Sequence, residues 1–174
     1  MKLDKQLAEL GLELLPAGRI YLTRAPITRR QFRAIVGFDP AYSLAHVDAP
    51  VERVSWQMAD EAARRLNLGG FCRRGEAWRL PSRLERYAIA AHLEPQPTAP
   101  AAVFALARTA GWIGLRGLVW EWTADLEGKR HAWAAGSCWL DAQIHADSPQ
   151  PEISIPSDSR WHCLGFRLAY GPSL

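Results

Sequence analysis

The chain has no Cys-x-x-Cys pair, no apolar run of membrane-spanning length, no dense stripe of one charge and no internal repeat. Each absence closes off a class of protein. Three widely spaced cysteines, Cys72, Cys138 and Cys163, make an odd set that argues against a disulfide framework and a four-cysteine zinc site. The opening MKLDKQLAEL puts charges where a signal peptide needs an apolar core, so a cytoplasmic protein without a membrane partner is expected. Basic residues number 21 against 18 acidic ones, for a formal net charge of +3. They fall in short clusters such as Arg29-Arg30 and Arg64-Arg65, whereas nucleic-acid binding wants a continuous basic face, so no nucleic-acid partner is expected.

What is present suffices for one core. A chain of 174 residues with 48% hydrophobic content closes a single domain of ordinary size. Leu3, Leu7, Leu10 and Leu14 recur at helical spacing, which predicts an amphipathic N-terminal segment over residues 1–15, broken by Gly11 and ended by Pro16. The domain proper is then 16–174. GRIYLTRAPIT reads as a strand entering a turn.

Three helices are signalled by their first turns. Thr28 with Gln31, and Ser82 with Glu85, have capping-box spacing; Ser55 is a third N-cap. Behind them lie apolar stripes at Phe32, Ile35 and Val36, at Leu84, Tyr87, Ala88 and Ala91, and at Ala59, Ala62, Ala63 and Leu66, each expected to face inward. A proline-rich loop, EPQPTAPAA, follows, and from Ala110 the text turns Gly- and Trp-rich with little helical period. Helices first and short irregular strands later, without βα alternation, predict an α+β fold.

Several stretches combine framework with chemistry. In GLVWEWTAD, Trp120 and Trp122 alternate with Val119 and Glu121, so one strand fills a core and carries a carboxylate. In RLPS, Pro81 fixes the approach to the helix that Ser82 caps, and Arg79 is a donor for loop carbonyls. In LGFRLAY, Gly165 permits close packing while Phe166 and Arg167 project to opposite sides.

In order and spacing, PAG, APITRRQF, PVERVSW, WRLPSRLE, GLVWEWTAD, AAGSCW and LGFRLAY resemble the motif series of the formylglycine-generating enzyme (sulfatase-modifying factor) family, from about Leu14 to Tyr170. The resemblance implies a C-type-lectin-like fold with little regular structure and a ligand surface built from C-terminal loops. It also implies two departures. Family enzymes hold copper with two thiolates, and the corresponding positions here are Leu140 and His145; an alkyl group is no ligand for a soft metal. At a family calcium loop Leu118 replaces an asparagine, leaving Glu121 as the carboxylate of a site that wants six or more oxygens.

The same resemblance places the family's variable binding face between about Trp133 and Cys163. Candidate ligand contacts there are Trp133, Trp139, Asp141, Gln143, His145, Asp158, Arg160, Trp161 and His162, because rigid aromatics with a polar rim suit macromolecular contact. No catalytic residue, metal or cofactor is expected. The first reading is thus a noncatalytic module for a protein or other macromolecular ligand, with variable proteins diversified by retroelements as a special case. Two alternatives stand beside it: an oxidoreductase with a metal centre rebuilt around His145, using Cys138, Cys163 or His162, and an accessory or scaffold subunit that docks or oligomerises through its N-terminal segment. His131, His145 and His162 match no metal spacing. Cys138 and Cys163 approach each other only if their strands pair.

Overall fold

The structure, a computed structural model, describes residues 10–16, 18–41, 46–90, 112–115, 117–138, 140 and 151–173. Leu12–Leu14 forms strand β1 and Tyr21–Thr23 strand β2, followed by helix α1 at Arg29–Val36 and α2 at Trp56–Leu68. Strand β3 (Glu76–Arg79) leads into α3 (Arg83–Ala90), and the elements described after it are strands: β4 (Trp120–Glu127), β5 (His131–Ala135), β6 (Glu152–Pro156), β7 (Leu164–Phe166) and β8 (Ala169–Pro172). The architecture is α+β, as the order of patterns predicted.

Local chemistry sets the helices. Thr28 and Gln31 exchange side-chain and backbone bonds at the start of α1, which ends on Gly37 at φ 91°, a left-handed turn that glycine enters without steric cost. Ser55 caps α2, whose Ala59, Ala62, Ala63 and Leu66 are buried. Ser82 and Glu85 form the second box, the Glu85 carboxylate accepting from the Ser82 backbone at 2.8 Å while Ser82 Oγ accepts from Glu85 N at 3.2 Å.

One expectation fails, for a physical reason. The stripe on α3 faces outward: Leu84 is 81% and Tyr87 60% exposed, while Arg86 and Ile89 are buried. Charge overrides hydrophobic period here, because Arg86 pairs with buried Glu121 and Glu85 is forked by Arg79 at 2.7 and 2.6 Å, which fixes the helix rotation. Ala91 lies outside the described residues. At the N-terminus, residues 1–9 lie outside them as well; Leu10 is helical, Gly11 turns the chain at φ 59°, and Leu12–Leu14 is a strand whose Leu14 pairs with Tyr21.

The strands make two sheets. One has the order β1-β2-β8-β3, the other β6-β5-β4-β7, and β4 runs parallel to β7 but antiparallel to β5. The β4–β5 register shifts between Trp122 and Leu126, and the backbone freed there bonds elsewhere: Thr123 O accepts from Trp56 Nε1 at 2.8 Å and Ala124 N donates to Pro81 O at 2.9 Å. One large core joins α1, α2 and both sheets around Phe32, Trp78, Trp120, Trp122 and Phe166. Arg167 and Leu168 link the sheets, with Leu168 O accepting from Thr23 N. Among the described residues no helix is long and apolar enough to cross a membrane.

Candidate functional site

Strand β4 carries the Glu121 carboxylate of GLVWEWTAD into the interior. Trp122 anchors the strand by donating from Nε1 to Val54 O at 2.8 Å, and Glu121, on the alternate face, has no solvent exposure. A buried carboxylate needs charge and hydrogen-bond partners, and Glu121 has them. Arg167 donates from Nε to Oε2 at 2.6 Å and from Nη2 to Oε1 at 2.8 Å, a two-point fork. Its remaining donors reach the carbonyls of Thr23, Arg24 and Ile113 at 3.0, 3.3 and 3.0 Å.

Arg86 arrives from α3 as a second cation. Its Nε lies 3.3 Å from Glu121 Oε2 without hydrogen-bond alignment, and its Nη2 donates to Leu115 O at 3.3 Å. The approach passes close to Gly136, where an added Cβ would stand 3.3 Å from Nη2 and 3.0 Å from Leu115 O. Burial pushes the Arg86 guanidinium down to about 10; Glu121 opposes that shift and Arg167 reinforces it. The Arg167–Glu121 fork therefore braces the fold, and Glu121 offers no carboxylate oxygen to solvent.

The residues the sequence proposed for ligand contact divide into three groups. Asp158, Arg160, Trp161 and His162 stand together on the crossover from β6 to β7, all exposed. This loop is laid against the segment before α2: Trp56 N donates to Ser157 O at 2.9 Å, Arg53 N to Trp161 O at 3.0 Å, Gln57 Nε2 to Ser157 Oγ at 2.9 Å and Arg160 Nε to Arg53 O at 3.0 Å. Trp161, 42% exposed, thus stands on pinned backbone. Arg53 has φ 59°, an uncommon conformation for a residue with a Cβ and one that collects at functional positions. Burial raises the Glu52 carboxyl above its ordinary range, against the pull of His162, Arg29 and Arg53.

Trp133 forms a second group by itself. Its neighbours Ala132 and Ala134 enter the core, so strand alternation turns its ring to the other face, where the Arg83 guanidinium lies 3.9 Å above it. Arg83 also pairs with Glu152. Trp139, Asp141, Gln143 and His145 lie outside the described residues. Sequence reasoning missed Glu52, Arg53 and Arg83. Two charges between the buried valines of PVERV were the available signal for the first pair.

Neither metal implied by the resemblance fits the residues described. Leu140 is an alkyl side chain, 54% exposed, and Cys138 is buried in the core. The strands expected to bring cysteines together do not pair, since β4 lies between β5 and β7: Cys138 bridges Leu118 on the β5 side and Cys163 O accepts from Trp120 N on the β7 side. Neither cysteine is in a disulfide. At the calcium position, Glu121 has given both oxygens to arginine and Leu118 is buried. The described residues contain no group of three or more His, Cys, Asp or Glu placed to hold a metal ion.

The fold has solved counterparts. Treponema denticola variable protein 1 superposes with a TM-score of 0.62 at 17% identity, covering 88% of this chain and 84% of the other. CarF gives 0.63 at 14% identity, covering 89% and 87%, and PvdO from Pseudomonas aeruginosa 0.60 at 16%, covering 89% and 81%. The chain therefore has the C-type-lectin-like α+β fold of such variable proteins. No protein-family model and no curated protein sequence matches it.

Proposed function

We propose that this domain is a noncatalytic recognition module that binds a protein or other macromolecular ligand through the β6–β7 crossover, with Asp158, Arg160, Trp161 and His162 as contacts and Glu52 and Arg53 beside them. The observation that carries this reading is the exposed Trp161 held on hydrogen-bonded, locally strained backbone. A rigid aromatic loses little entropy on binding and so makes an effective anchor. Trp139, Asp141, Gln143 and His145 belong to the same proposal as further contacts, and Trp133 as a rim residue under Arg83. The absence of chemistry is part of the reading: the aligned position 140 carries an alkyl group and Glu121 is neutralised by arginine.

The test is capture from cells of the source organism, quantified against purified wild type, Trp161→Ala and Arg160→Ala. A partner retained by wild type and weakened at least about tenfold by Trp161→Ala is the expected result. Equal capture by all three, with unchanged circular dichroism, refutes the crossover as binding face. The likeness to a variable protein supports a narrower version in which the loops between Trp133 and Cys163 are diversified by a retroelement; a reverse transcriptase and template repeat beside the gene is its expected sign.

A further inference from the structure

Six oxygens converge on the two guanidinium groups around Glu121: both carboxylate oxygens and the carbonyls of Thr23, Arg24, Ile113 and Leu115. One carboxylate with neutral carbonyls from several loops is the donor set a hard cation such as calcium takes. Here each of those oxygens already accepts an N–H. The space beside them is filled as well: Leu118, 3% exposed, brings Cδ1 to 2.2 Å from where a Cβ on Gly114 would stand, and Gly114 itself has φ 67°. Charge points the same way. One carboxylate and two guanidiniums leave the buried cluster with an excess positive charge, which opposes entry of a divalent ion in a medium of low dielectric.

We propose that the Arg167 guanidinium, with Arg86 behind it, permanently fills the cation position at this junction of β2, β4 and the 112–118 segment, so that the fold closes without a divalent metal. The planar fork of Arg167 supplies what a spherical ion would supply: it gathers backbone carbonyls from separate segments onto one carboxylate. The inference does not depend on what the crossover binds.

Purified full-length chain is freed of metal with EGTA and melted in EGTA and in millimolar calcium chloride, with calcium content measured after desalting. The expected result is no stoichiometric calcium and a Tm change below about 1 °C, whereas a site of micromolar affinity would raise Tm by several degrees. Retained stoichiometric calcium, or such a rise, overturns the proposal. A second arm makes Glu121→Gln, Arg167→Met and the double variant. Each single change is expected to lower Tm by about 6–20 °C and the double by clearly less than their sum, because removing one member strands the other. Additive losses would mean that Arg167 does not hold Glu121, and would overturn the proposal as well; if a single variant does not accumulate as folded protein, the calcium measurements on wild type decide.

Discussion

Arg86 is costly to this protein, because Glu121 already has a full partner in Arg167. Depressing its ionisation from the ordinary guanidinium range to about 10 corresponds to a penalty of about 3 kcal/mol on the charged form, partly offset by about 1 kcal/mol for the bond to Leu115 O. The folded value lies below the unfolded one, so above about pH 10 the unfolded chain holds more protons and this group's contribution to stability rises with pH until the ordinary guanidinium range is reached. Arg86→Met is therefore expected to leave Tm unchanged or raise it at pH 7, with any advantage over wild type shrinking as pH approaches 11. Paired thermal melts across that range check this, and a lowered Tm at pH 7 would contradict it. At Gly165 the constraint is steric: an added Cβ would sit 2.5 Å from Val51 O, which is backbone and cannot yield cheaply. Gly165→Ala should cost about 1–3 kcal/mol, readable from urea unfolding.

Helix α3 shows how far the sequence could be read and where it stopped. Its capping box was legible because Ser82 and Glu85 need only each other, and so were the caps of α1 and α2. Its rotation was not, since the hydrophobic stripe pointed one way and the deciding partner, Glu121, lies on a strand far along the chain. On the β6–β7 crossover the same limit applies: the aromatic and charged composition of SDSRWHC was visible, but the docking of that loop on Arg53, Trp56 and Gln57 depends on a crossover that no local pattern encodes. The outward face of α3 yields an element-scale prediction. Leu84→Lys and Tyr87→Ser should change stability by no more than about 0.5 kcal/mol, whereas Ile89→Ala, at a fully buried position, should cost about 2–5 kcal/mol. Denaturant midpoints separate the two cases, and large losses at Leu84 and Tyr87 with little loss at Ile89 would show that α3 is rotated as its stripe implied.

Across the whole molecule, the segment before α2 both joins the core, through Val54 O and Trp122, and supports the exposed crossover, through Arg53 and Trp161. Under the proposed function, recognition and stability fall to neighbouring but separable groups, and Trp161→Ala is expected to weaken capture at least about tenfold while leaving Tm within about 2 °C of wild type. One arrangement reaches further. Cys138 and Cys163 are both free thiols with β4 standing between the strands that lead to them, and two ideal strand spacings amount to roughly 9–10 Å, beyond the span of about 7 Å that a disulfide tolerates. Treatment with a mild oxidant should leave both thiols titratable after unfolding and the migration on a non-reducing gel unchanged within one chain, so the domain keeps the same covalent form in an oxidising or a reducing compartment.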